Sequence, residues 1–197
     1  MTLAAMRPLI LGSTSAYRRE LLNRLRIPFE VVAPEVDETP HPDEEPAQLA
    51  CRLAMAKARA VAIRFPQAVV IGSDQVADLD GEAIGKPGTH GAAVAQLRRM
   101  RGRRIVFQTA VAVVCEATRF AQMELAQVQV LFRALEDFEI EAYLLAERPY
   151  DCAGSAKSEG LGIALLDSID SDDPSALVGL PLIRTCRMLR AAGATLP

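Results

Sequence analysis

Ser13, Ser15, Arg18 and Arg19 fall within LILGSTSAYRREL, residues 9–21, which reads as a hydrophobic strand, a small polar turn and the first turn of a helix. A helix N-terminus presents unpaired backbone N–H groups and partial positive charge, so it favours acidic side chains and disfavours arginines. An anion removes the conflict. A phosphate held by the Gly12–Ser15 turn, the helix N-terminus and an arginine would meet amides, dipole and charge together. The plainer alternative makes Ser15 an ordinary N-cap with both arginines in water. A capping box does not decide between them, because the N3 position holds Arg18 rather than Glu or Gln. The stretch also lacks a Walker or G-x-G-x-x-G pattern.

Other chemistry-bearing residues are spread along the chain. Glu38 lies in the acidic, proline-rich PEVDETPHPDEEP, Lys57 in a long helical segment, Asp74 at the end of the apolar run AVVIGSD, and Lys86 before Pro87. The two histidines, His41 in the proline-rich loop and His90 beside a helix start, sit where exposure is expected. That placement argues against a Ser-His-Asp or Cys-His hydrolase and leaves catalysis to carboxylates, lysines, arginines and a metal. Cys51, Cys115, Cys152 and Cys186 are widely spaced with no C-x-x-C pair, so neither a zinc site nor a disulfide framework is expected.

The elements that must position these groups follow from periodicity. A helix is expected from about Ser15 to Leu25, and PFEVVA, 28–33, alternates like a strand. The acidic loop stays non-helical until Pro46, where a helix runs through QLACRLAMAKARAVAIRF and places Lys57 on its less apolar side. AVVIGSD, 68–74, predicts a buried parallel strand delivering Asp74 to the sheet's C-terminal edge, where ligands of open α/β sheets gather. DLDGEAIGKP reads as a hairpin turned by Asp80-Gly81. A helix over 89–101, paired antiparallel strands RIVFQTAVAVVC and ELAQVQVLFR, and a helix over 135–146 follow. A CAGSAKSEGLG loop, a strand at 162–166 and a helix near 182–191 complete the order.

At 197 residues, half of them hydrophobic, the chain can bury a full core as one domain or as two small lobes with a cleft between them. A net charge of -3 without a basic stripe gives no reason to expect a nucleic-acid polymer as partner. No apolar segment reaches membrane-spanning length, and MTLAAMRPLILG lacks the pattern of a secretory signal, so no membrane partner and a cytoplasmic location are expected.

Several ordered motifs together resemble the Maf-like nucleotide pyrophosphatases. GSTSAYRRELL matches the S-x-S-x-x-R-x-x-LL opening, PEVDE the acidic loop, MAKA the helical lysine, and IGSDQV followed by GKP the central aspartate and lysine; CAGSAKSEGLG and LVGLPL continue the match over nearly the whole chain. VDETP, GSDQV and KSEG look like the subfamily acting on 7-methyl-GTP rather than the UTP and dTTP branch. Ala16 departs from the family's usual proline and gives up some pre-organisation of the turn. The resemblance implies one domain over 1–197 with a mixed, elongated α/β sheet and helices forming two lobes around a cleft, similar to the inosine-triphosphatase-like architecture. It also implies a homodimer.

The implied chemistry is hydrolysis of a nucleoside triphosphate to monophosphate and diphosphate, with magnesium or manganese as cofactor. Asp74 resembles the family's proton acceptor, acting as general base or as a metal ligand assisted by Glu38. Arg18, Lys57 and Lys86, with Ser13 and Ser15, would hold the triphosphate. Tyr17, Gln75 and Glu159 resemble the specificity positions. A base methylated at N7 carries delocalised positive charge that favours an aromatic ring, and a carboxylate can accept from guanine N1–H and N2–H. Each residue has a plainer reading: Asp74 as a turn cap, Lys57 and Glu38 as solvated charges, Lys86 as a turn residue, Arg19 as structural. The competing functions are a UTP, dTTP or modified-pyrimidine pyrophosphatase, and a nucleotide-binding cell-division regulator with little turnover.

Overall fold

The computed structural model describes residues 7–196; the N-terminal run discussed above begins in residues 1–6, which lie outside them, as does residue 197. In chain order the elements are β1 (Leu9–Gly12), α1 (Ala16–Asn23), β2 (Glu30–Val31), α2 (Pro46–Ala62), β3 (Val69–Leu79) and β4 (Glu82–Ile84). There follow α3 (His90–Met100), β5 (Arg104–Cys115), β6 (Phe120–Phe132), α4 (Asp137–Glu147), β7 (Leu166–Asp170) and α5 (Leu182–Ala191). The seven strands form one mixed sheet in the order β2-β1-β3-β5-β6-β7, with β4 also paired to β3.

β3 is the spine of this sheet. Its first half pairs parallel with β1, from Leu9↔Val69 to Gly12↔Gly72, and its last three residues pair antiparallel with β4, from Ala77↔Ile84 to Leu79↔Glu82. β5 runs antiparallel along the other edge from Val70 to Asp78. Residues 73–76 therefore have a strand neighbour on one side only. The break in the ladder spans four residues, about 13 Å of extended chain.

Side-chain alternation along β3 sends even-numbered residues toward α2 and odd-numbered residues toward the opposite layer. Val70 and Val76 pack with Ala110, Ala112 and Val114 under α2. Val69 and Ile71 pack with Leu21 and Leu22 of α1 and Met188 and Leu189 of α5. Past the break, Ala77 and Leu79 join a third cluster built from α3, α4 and the ends of β5 and β6. The single sheet thus carries helices on both faces around its first half and on one face around its second, where Gln108 and Asp78 hydrogen-bond on the uncovered side.

α2 lies unusually close to the sheet because both surfaces are stripped of bulk. Ala50, Ala54, Ala58 and Ala62 recur every fourth residue and are fully buried. A Cβ on Gly72 would sit 2.4 Å from the Ala54 carbonyl oxygen and 2.5 Å from the Ala58 nitrogen. Glycine there is a packing requirement, since no side chain fits between helix and strand.

Four expectations are corrected. The strand read at 28–33 is only Glu30–Val31, an edge strand held by β1 alone. The strand placed at 162–166 is a 3₁₀ turn over Leu161–Leu165, with β7 beginning at Leu166. Asp74 does not end its strand; β3 continues to Leu79. Lys57 faces the sheet, not the less apolar side, and is 5% exposed. The last two share one cause, developed next.

Candidate active site

A cleft of about 870 Å³ opens at the break in the β3 edge, and the ten residues to which the family resemblance gives a site role all line it, whereas Arg19 does not. Its floor is Asp74, 7% exposed, on the α2-facing side of β3. Lys57 reaches down from α2, its Nζ 2.7 Å from Asp74 Oδ1 and 2.7 Å from Glu38 Oε1. A buried lysine and a buried aspartate are each costly alone and acceptable together. This pairing lets β3 carry a carboxylate mid-strand and lets α2 turn a lysine inward, against the pattern each segment shows alone. Burial pushes the Glu38 carboxyl upward, but the Lys57 hydrogen bond and the charges of Lys57, Lys86 and Arg18 hold it below the usual glutamate range.

The Gly12–Ser15 turn closes one wall. Ser15 is the N-cap of α1, its Oγ accepting from the Arg18 backbone N–H, and Ser13 Oγ accepts from the Ser15 N–H. Arg18 does not turn into water as the plainer reading had it. Its Nε donates to the Gly179 carbonyl at 2.8 Å, and Nη1 lies 3.5 Å from Ser13 Oγ. Loss of water around the guanidinium lowers its pKa, while the charges of Asp74 and Glu38 work the other way. Arg19 is exposed, and Lys86 lies exposed in the loop after β4 at the cleft's rim.

Tyr17 projects from the same first turn into a different part of the cleft. Its hydroxyl is 3.4 Å from Asp151 Oδ2, Cys152 Sγ is 3.7 Å from it, and Lys157 Nζ lies 5.8 Å from the ring centroid. Burial and the neighbouring Cys152 and acidic groups raise the Tyr17 phenol well above its ordinary value, and burial pushes the Cys152 thiol up to about 11. Both stay protonated at neutral pH. Glu159 is exposed on the same cleft's lining.

Gln75, on the opposite face of β3 from Asp74, donates its amide to Thr109 Oγ1 and to the Ala176 and Leu177 carbonyls at 2.9–3.0 Å. It ties the 3₁₀ turn Pro174–Val178 to the sheet. Ser73 Oγ, two residues earlier on the same face, is within hydrogen-bond distance of the Ala110 carbonyl and of the carbonyl of Gly179, which follows that turn. Gly179, Lys157 and Thr109 went unmarked in the sequence. A backbone carbonyl leaves no residue-type signal, whereas Lys157 stood inside the quoted KSEG motif.

No group of three or more His, Cys, Asp or Glu side chains converges as a metal cage among the described residues. Glu38 and Asp74, facing one another across Lys57, are hard oxygen donors. Such a pair fits magnesium or manganese, which take one or two carboxylates and complete their shell with water and phosphate oxygens.

Residues 8–192 match the family model described as Maf-like protein. The chain is similar to a 7-methyl-GTP pyrophosphatase of Albidiferax ferrireducens, 76% identical over 95% of this chain and 94% of that one. It is also similar to one of Polaromonas sp., 73% identical over 96% and 87% of the two chains, and to one of Aromatoleum aromaticum, 61% identical over 96% and 97%. Among solved structures it is similar to the Ham1 protein of Staphylococcus aureus, with 16% identity and a TM-score of 0.48 over 65% of this chain and 73% of that one. With a family model covering nearly its whole length and relatives this similar end to end, the chain belongs to the Maf-like protein family.

Proposed function

We propose that this protein hydrolyses 7-methyl-GTP to 7-methyl-GMP and diphosphate by attack of water on the α-phosphorus. The observation that carries the reading is the Lys57 ammonium held between two carboxylates at the floor of a cleft that Arg18, Lys86, Tyr17 and Glu159 also line. The names of the relatives, 7-methyl-GTP pyrophosphatases, support it.

Phosphoryl chemistry asks mainly for positioning and for charge aimed at the leaving group. Arg18, Lys57 and Lys86 supply cations, and the Ser13–Ser15 turn supplies hydroxyls. Lys57 occupies Asp74 Oδ1, so Oδ2 is the oxygen that accepts the proton of the attacking water. A magnesium or manganese ion held by Glu38 and Asp74 would neutralise charge on the diphosphate and lower the pKa of bound water. For the base, Tyr17 offers an aromatic face to the cationic N7-methylguanine and Glu159 accepts from its N1–H and N2–H. Gln75 acts through the turn it anchors and through its position beside Asp74.

The same reading makes a nucleoside triphosphate the partner of a cytoplasmic homodimer. No helix among the described residues is long and apolar enough to cross a membrane. Diphosphate release is measured with magnesium or manganese across 7-methyl-GTP, GTP, UTP and dTTP. Preference for 7-methyl-GTP is expected, with a rate loss of about 10²–10⁴ in a folded Asp74→Asn variant. Preference for UTP or dTTP would remove the account of the base, and absence of turnover would remove the enzyme.

A further inference from the structure

Glu38 reaches Lys57 from a loop with no regular structure, and the side chain is 58% exposed. An ion pair with one partner in water is too weak to fix a loop of twelve residues between Pro34 and Glu45. The loop is nevertheless cross-braced. The Arg52 guanidinium, on α2, grips Glu44 as a fork, Nε to Oε1 at 2.6 Å and Nη2 to Oε2 at 2.7 Å. The same Nη2 donates to the Thr39 carbonyl at 3.1 Å. Glu44 Oε2 in turn accepts the His41 N–H at 3.0 Å, and its side chain is only 9% exposed. On the other side of Glu38, Asp37 Oδ1 accepts the Thr39 N–H at 2.9 Å.

We propose that Arg52 is a positioning residue whose fork on Glu44 and Thr39 holds the loop so that Glu38 is presented to Lys57. Both grips come from one rigid helix, Arg52 and Lys57 lying five residues apart on α2. The loop is thus registered to the same helix that sets the Lys57–Asp74 pair. A bidentate guanidinium–carboxylate contact fixes direction as well as distance, which a lysine in its place would not do. Arg52 touches no reacting atom in this scheme; it acts through Glu38. The proposal rests on the hydrolytic role given to Glu38 above, but its structural half stands without it.

The structural half is tested by digestion with a glutamate-specific protease, whose sites at Glu35, Glu38 and Glu44 all lie in this segment. Arg52→Gln should speed cleavage there about tenfold or more, Glu44→Gln should do so at the Glu35 and Glu38 sites that it leaves intact, and Arg52→Lys should rescue only partly. Unchanged cleavage overturns the clamp whatever the enzyme does. The catalytic half is a double-mutant cycle on diphosphate release. Arg52→Gln should lower kcat between about 10- and 100-fold with KM for nucleotide little changed, the scale of a misplaced group. In a Glu38→Gln background the same substitution should cost almost nothing further. An equal loss in both backgrounds makes Arg52 merely structural and overturns the proposal. A wild-type protein that turns over no triphosphate defeats the hydrolytic reading while the protease result still decides the clamp.

Discussion

The Lys157 ammonium lies 5.8 Å from the centroid of the Tyr17 ring and is paired at 2.9 Å with Glu147 at the end of α4. Tyr17 lines the cleft, so the ring that would meet the base already has a resident cation beside it. A cation on one face of an aromatic ring diminishes what the ring offers to another. Lys157→Met should therefore raise the ratio of kcat/KM for 7-methyl-GTP over GTP by about two- to fivefold, equivalent to about 0.5–1 kcal/mol. Taking the ratio cancels any uniform loss. A fall in the ratio would show that Lys157 assists the cationic base instead.

Removing Lys57 leaves two carboxylates facing one another, one of them buried. Lys57→Met should lower stability by about 3 kcal/mol in chelator-treated buffer, as expected when one partner of a buried ion pair is deleted. Magnesium or manganese should restore part of the loss, because the vacated position then suits a divalent cation. Melting curves with and without metal check this. Equal loss in both buffers would separate Glu38 and Asp74 from metal binding.

Gly72 fixes how closely α2 approaches β3. Gly72→Ala should cost about 3 kcal/mol and depress turnover with it, because the helix carrying Lys57 must shift away from Asp74. Gly91→Ala, whose Cβ would meet nothing within 4 Å and which does not line the cleft, serves as the control and should leave turnover nearly unchanged. Thermal melts and diphosphate release on the two variants are the measurement; a silent Gly72→Ala would contradict the close packing.

The Arg52 fork sets a pH signature. Glu44 is held down to about 2 from an ordinary 4.5, chiefly by its hydrogen bond from Arg52. Since the folded carboxyl titrates below its unfolded value, the clamp's contribution is complete above about pH 4.5 and is lost as pH falls toward about 2. Carboxyl-carbon NMR should place the Glu44 midpoint near 2, and Arg52→Gln should return it toward 4.5. A midpoint near 4.5 in the unmodified protein would mean that the fork does not form in solution.

Local pattern was enough to read α1, α2, α3, the Asp80-Gly81 hairpin and the antiparallel pairing of β5 with β6, because caps, turn residues and apolar periodicity act within a few residues. The resemblance to a known family named ten residues that the fold gathers into one cleft. What stayed hidden depends on partners far along the chain. Lys57 reads as a polar-face residue and Asp74 as a strand end until each is seen neutralising the other. β2 is limited to the two residues that β1 pairs with, Glu30 and Val31, a register that alternation within 28–33 does not reveal. Arg52 carries no signal of its role in the sequence, since its acceptors lie in a loop without periodicity.

The interrupted edge of β3 has a mechanical consequence. Along residues 73–76 β1 has ended and β4 has not begun, so the edge lies open while β5 backs β3 on its other side. A triphosphate seated there, gripped by Arg18 and Lys57 from the β1 side and Lys86 from the β4 side, would serve as a strut across the gap. Occupancy would then add a brace across the one stretch of that edge that no strand covers.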